Sequence, residues 1–133
     1  MVVSQAYRHK NTSVSLVNYH LVWCPKRRRK VLVNEVERDL RALLQQQAAE
    51  LDCNILALEI MPDHVHLFVN CPPTKAPSDI MFFLKGYTSR LLREKYPHLN
   101  RMSSLWTRSY FVSTAGNVSS ATIERYISKQ KTR

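Results

Sequence analysis

The run His64-Val65-His66-Leu67-Phe68-Val69 alternates polar or aromatic residues with aliphatic ones. On a strand, residues two apart project to the same side. His64 and His66 then point together, while Val65, Leu67 and Val69 point into a core. Two imidazoles on one strand face can share a metal ion, each through one ring nitrogen. The same spacing also fits two polar residues on an open sheet face. A second pair is Tyr126 with Gln130, at i and i+4 on one helix face. Ile123 and Ile127 form a neighbouring stripe suited to packing, which leaves Tyr126 and Gln130 rotated towards a cleft. A phenol attacks phosphorus once it is deprotonated or held beside a metal-bound phosphate. The Gln130 carbonyl oxygen is a candidate third metal ligand, although an ordinary surface tyrosine has the same spacing.

These residues need elements to hold them. Val14 to Trp23 reads as a first strand, with Val17, Tyr19, Leu21 and Trp23 on one face. Pro25 ends it and a basic run, Lys26-Arg27-Arg28-Arg29-Lys30, follows. A helix is expected from Asn34, capped by Asn34 with Glu37 three residues on. Val36, Leu40, Leu43, Leu44, Ala48 and Leu51 repeat along it at helical spacing. Asn54 to Met61 and His64 to Asn70 read as strands joined at the Pro62-Asp63 turn. A second helix is expected over about 78–95, buried through Ile80, Phe83, Leu84, Tyr87 and Leu91. Leu105 to Ser113 reads as a fourth strand, and Gly116-Asn117 breaks the chain before a short final helix over 118–133. Residues 1–12 are polar and basic, an N-terminal arm. The order strand, helix, strand, strand, helix, strand predicts an α+β, ferredoxin-like or RRM-like split βαβ sandwich. Its four-stranded antiparallel sheet carries helices on one face and leaves the other open, in a single domain spanning residues 1–133.

Composition narrows the partners. The 133 residues include 20 Lys and Arg against 10 Asp and Glu, a net charge of +10, which favours a polyanionic partner. Only 2 glycines are present, so no Gly-rich phosphate loop can be built. The three cysteines, Cys24, Cys53 and Cys71, form no CxxC pair and suit no zinc site. They read as small buried residues in a reducing compartment. With no signal peptide and no membrane-length apolar run, a cytoplasmic protein is expected, nucleoid-associated when acting on DNA.

Taken together, the segments resemble a known family, the single-tyrosine HUH transposases of small insertion sequences (TnpA-type, IS200-like). Met61-Pro62-Asp63-His64-Val65-His66-Leu67 matches its central motif, and Tyr126-Ile127-Ser128-Lys129-Gln130 its Y-I-x-x-Q helix. Tyr19-His20-Leu21-Val22-Trp23 with Lys26-Arg27-Arg28 resembles its first strand. Leu105-Trp106 and Ser109-Tyr110-Phe111-Val112 resemble the strand before the helix. The resemblance spans about residues 14–130. It implies a single-strand DNA endonuclease and strand transferase acting at insertion-sequence ends. Tyr126 would form a 5′-phosphotyrosine, and His64, His66 and Gln130 would hold Mg2+ or Mn2+. It also implies recognition of DNA hairpins and a homodimer in which one subunit's tyrosine helix can serve the other's site, with Gly116 as the joint. Lys26, Arg27, Arg28, Arg29, Lys30, Lys85, Arg90 and Arg93 are the expected DNA-binding residues. His9, His20 and His98 have no partner pattern and are assigned structural roles. Two other readings are a domesticated relative that processes genomic palindromes and a non-catalytic RNA-binding module, for which Phe68 is a candidate stacking aromatic.

Overall fold

The structure is a computed structural model that describes residues 7–10, 13–15, 17–114 and 120–130. Strands β3 (Asn18–Trp23), β4 (Asn54–Met61), β5 (His64–Asn70) and β6 (Phe111–Thr114) form one sheet in the order β4-β5-β3-β6, with every neighbouring pair antiparallel. Helices α1 (Asn34–Glu50) and α2 (Pro77–Lys95) lie between successive strands as the split βαβ pattern requires. The expected α+β fold is the one observed.

Period-two alternation decides which face is covered. Leu21 and Trp23 of β3 and Val65, Leu67 and Val69 of β5 are buried together with Val36, Leu40, Leu44 and Ala48 of α1 and Ile80, Met81, Leu84 and Leu92 of α2. Burying such side chains contributes about 1.5–3 kcal/mol each relative to exposure. The opposite residues, His20 and Val22 on β3 and His64, His66 and Phe68 on β5, therefore share the other face. The register sets Val22 beside His66 and His20 beside Phe68. Helix α3 (Ser120–Lys129) lies on part of this second face: Ile127 is buried against Val22 and Cys24, with Phe111 and Tyr126 packed alongside.

Several expectations are corrected. The first strand divides into β2 (Ser13–Ser15) and β3, and β2 pairs with β1 (Arg8–Lys10), so part of the expected arm is a small hairpin. Asn34 does not cap α1. Val33 is the capping residue, with no side-chain cap, and Asn34 has φ 53°. The entry is fixed instead by the Leu32 amide, which donates to the Pro62 carbonyl at 3.0 Å. Glu37 accepts from Arg41 at 2.9 Å rather than closing a capping box. The buried stripe of α2 is rotated: Met81, Thr88 and Leu92 are inside and Phe83 is exposed. Trp106 accounts for the turn, because its indole N–H donates to Thr88 Oγ1 at 3.1 Å. The fourth strand is shorter than expected. Residues 105–107 follow the end of β3 through Lys26 N–H to Leu105 O at 2.8 Å and Thr107 N–H to Cys24 O at 3.0 Å. The Lys85 ammonium then gathers the carbonyls of Thr107, Arg108 and Ser109, which takes those groups out of any ladder. Gly116 and the outer parts of the expected arm lie outside the described residues.

Candidate active site

The hairpin at Pro62-Asp63 delivers His64 and His66 to one face, with ring centroids 4.9 Å apart at 70°. Each imidazole has its Nδ1 occupied. His64 Nδ1 lies 2.7 Å from Asp63 Oδ1, and the other oxygen of Asp63 takes Arg28 Nε at 2.5 Å. His66 Nδ1 lies 3.3 Å from Nε2 of His20. The Nε2 atoms are therefore the nitrogens left to bind something on the open face. A carboxylate on the far ring nitrogen is the usual support of a metal-binding histidine: it orients the ring and raises its basicity.

Electrostatics fit ligation. Burial lowers the His66 pKa to about 4, with help from the neighbouring His64 and His20, so the ring is neutral at pH 7. A neutral imidazole is the form that coordinates a cation. Burial would raise the Asp63 carboxyl, but its hydrogen bonds from Arg28 and His64 outweigh this and hold it below its ordinary range. Burial also lowers the pKa of His20.

The tyrosine helix brings Tyr126 and Gln130 to the other side of Val22. The Tyr126 hydroxyl lies 3.3 Å from Ser109 Oγ, and its ring sits 6.2 Å from that of Phe111. Gln130 is buried, and its Oε1 accepts from Ser109 Oγ at 3.0 Å and Thr107 Oγ1 at 3.3 Å. Its Nε2 donates to the Tyr126 carbonyl at 3.1 Å, tying the two residues into one unit. In this arrangement the amide oxygen is committed to two hydroxyls. The imidazole donors that face the open side are thus those of the histidine pair, with the exposed Glu59 carboxylate beside His66 in the β4–β5 register. Among the described residues, no group of three or more His, Cys, Asp and Glu side chains is placed to hold a metal ion. The two imidazoles fit two positions of such a site. Gln130 can supply a third only by exchanging Ser109 and Thr107 for the metal.

The basic residues divide by geometry. Arg27, Arg29 and Lys30 are exposed around a tight turn in which Arg27 and Arg28 have φ 56° and 55°. Lys26 is half-buried there, and Arg28 is turned inward onto Asp63. Lys85 is also turned inward onto its three carbonyls, and burial lowers its pKa to about 8. Arg93 donates to Asn100 and the Met102 carbonyl, and exposed Arg90 approaches Glu94 at 3.9 Å. Phe68 is no exposed platform, because His20 stacks on it at 4.3 Å and 10°. Asp63, His20, Ser109 and Thr107 were missed as site residues. The Asp next to the histidine motif was a usable signal. Ser109 and Thr107 carried none, because their part depends on where α3 docks.

The chain with this fold falls into one family of DNA-processing enzymes. Residues 13–130 match the family described as "Transposase IS200 like", and the chain belongs to it. The chain is 38% identical over 117 residues to the ISDra2 transposase TnpA of Deinococcus radiodurans, covering 86% of this chain and 84% of that protein. It is 34% identical over 115 residues to the transposase for insertion sequence element IS200 of Salmonella typhimurium, covering 84% and 75%. The crystal structure of a candidate transposase from Deinococcus radiodurans R1 superposes with a TM-score of 0.87 at 35% identity, covering 92% of this chain and 97% of that one. A REP-associated tyrosine transposase bound to a REP hairpin shares the fold, with a TM-score of 0.58 at 13% identity, covering 90% and 67%. No helix among the described residues is long and apolar enough to cross a membrane.

Proposed function

We propose that this transposase cuts and rejoins single-stranded DNA at insertion-sequence ends, with Tyr126 as the nucleophile and His64 and His66 as ligands of Mg2+ or Mn2+. The observation that carries the reading is the shared face: two imidazoles whose Nδ1 atoms are occupied, which leaves their Nε2 atoms for a ligand, and a tyrosine on the helix that covers the neighbouring strand. The phenol oxygen would attack the scissile phosphorus and displace the 3′ oxygen, leaving a 5′-phosphotyrosine and a free 3′-hydroxyl. That step conserves the phosphodiester energy in the protein link, so a second 3′-hydroxyl can rejoin the strand without ATP. A bound divalent cation would polarise the phosphate and stabilise the leaving oxygen. Tyr126 must give up its place beside Ser109 to reach a phosphate held at the histidines. Gln130, bonded to the Tyr126 carbonyl, would travel with it and bring its amide oxygen to the same centre.

The exposed cations Arg27, Arg29 and Lys30, with Lys26, would follow the phosphate backbone and make binding salt-dependent. Arg90 would add charge at a distance. The inward-turned Arg28, Lys85 and Arg93 would act mainly by holding structure. DNA hairpins at the element ends are the substrate class we infer, and a homodimer with exchanged tyrosine helices hinged at Gly116 is the assembly. The cytoplasm, on the nucleoid, is the inferred location.

The test is incubation of the purified protein with a 3′-end-labelled single strand containing an element end. A covalent adduct should appear on a denaturing gel, require Mg2+ or Mn2+, and be absent with the fully duplexed strand. Tyr126→Phe should lower its yield by at least a hundredfold, while binding of the strand is retained. An adduct formed equally well by the variant would remove Tyr126 from the role.

A further inference from the structure

His20 is an aromatic, ionisable residue buried in a sheet where an apolar side chain would pack as well. The residue is only 4% exposed. It is clamped by three rings: it stacks on Phe68 at 4.3 Å, on His66 at 5.5 Å, and meets the edge of Phe111 at 6.4 Å. Among the described residues no group hydrogen-bonds its Nδ1. A buried polar atom left so is destabilising. Such an atom in a native fold calls for a reason, and a role in catalysis is one. The reason here lies at the other nitrogen, Nε2, which is 3.3 Å from His66 Nδ1.

Two neutral imidazoles in this contact share one proton, and two tautomer pairs are open. If His20 donates, His66 accepts at Nδ1 and carries its own proton on Nε2, where it blocks ligation. If His66 donates from Nδ1, its Nε2 keeps a lone pair on the open face. The second pairing is the one a metal ligand needs. It does for His66 what Asp63 does for His64, with an imidazole in place of the carboxylate.

We propose that His20 is a positioning residue: its Nε2 accepts the Nδ1–H of His66, which fixes the ring and presents the Nε2 lone pair of His66 to the open face. This rests on the reading of His66 as a metal ligand. The contact runs across the sheet from β3 to β5, so it is built from residues 46 apart in the chain. The rings around His20 hold it still, which makes the acceptor pre-aligned.

Two variants separate the nitrogen from the ring. His20→Phe keeps the stack on Phe68 and deletes the acceptor, whereas His20→Gln restores a hydrogen-bonding oxygen. The first measurement is the 15N shifts of the His66 ring in metal-free protein, which report its tautomer directly. Wild type should show the Nδ1–H form, and His20→Phe a mixture of the two. A wild-type His66 protonated on Nε2, or a tautomer ratio identical in His20→Phe, overturns the proposal. The wild-type spectrum decides even if the Phe variant does not fold. The second measurement is Mn2+ affinity by electron paramagnetic resonance. His20→Phe should weaken it about tenfold, as loss of a supporting partner typically does, and His20→Gln should recover most of that, with thermal midpoints unchanged or raised. Full affinity in a folded His20→Phe overturns it. Mn2+ binding that survives His66→Ala instead overturns the metal-ligand reading, and the tautomer measurement still decides the part His20 plays.

Discussion

Asp63 joins the two kinds of chemistry at the site: one oxygen meets His64 and the other meets Arg28. The carboxylate is thereby held in place before any cation arrives, and the imidazole with it. We expect Asp63→Asn to keep the shape of the turn and lose the charge, lowering Mn2+ affinity about tenfold. Titration followed by calorimetry checks this, and an unchanged affinity would show that His64 needs no carboxylate behind it. At this scale much was legible. His64, His66, Tyr126 and Gln130 are candidates by type and spacing, because strand and helix periods say which side chains share a face, and the ordered motifs around them single them out. What spacing cannot give is the partner of each ring. His20 reads as structural because its contact with His66 depends on the register of β3 against β5, and Ser109 is one serine among many until α3 is docked.

Helix α3 is held by Ile127 in an apolar contact and by the Ser109–Gln130–Thr107 hydroxyl cluster. A helix of ten residues is too short to persist alone, so docking must stabilise it. Ser109→Ala removes a donor to a buried amide oxygen and should weaken docking by about 1 kcal/mol. Hydrogen exchange of the α3 amides should then quicken about fivefold, with β3 and β5 unaffected; equal exchange in both proteins would place the hold elsewhere. A second clasp joins α1 to the end of α2. Lys95 and Tyr96 both hydrogen-bond Asp39, Lys95 at 2.8 Å, and these bonds lower its pKa to about 2. A depressed carboxyl contributes stability above its ordinary pKa near 4 and loses it as pH falls towards 2. Asp39 is half-buried but its partner Lys95 is exposed, so solvent screens the pair and the contribution is about 0.5 kcal/mol. The denaturation midpoint of Asp39→Asn should lie below wild type at pH 6 and meet it near pH 2. Element boundaries were less legible than element order. The expected cap at Asn34 failed because the Leu32–Pro62 tether fixes the entry to α1, and the last strand was cut short because Lys85 collects the carbonyls ahead of it.

For the whole molecule, strand and helix order alone predicted the sheet, since period-two and helical patterns alternate cleanly and the hairpin turn is marked by Pro62-Asp63. The net charge of +10 also pointed to a polyanion. It did not say which cations face outward. Arg28, Lys85 and Arg93 spend their donors inside the protein, which only the packed structure reveals. In the proposed reading the sheet is the mount for two histidines, and α3 carries the nucleophile, Tyr126, over the neighbouring strand. The claim that joins these parts is that Tyr126 takes the 5′ phosphate. It is tested most directly by trapping the adduct with a strand labelled at the scissile phosphate, trimming the DNA with nuclease and mapping the modified peptide. Trypsin cuts after Arg125 and Lys129, so the account predicts the nucleotide on the four-residue peptide Tyr126–Lys129. A label on any other tyrosine, or on a serine or histidine, would contradict it.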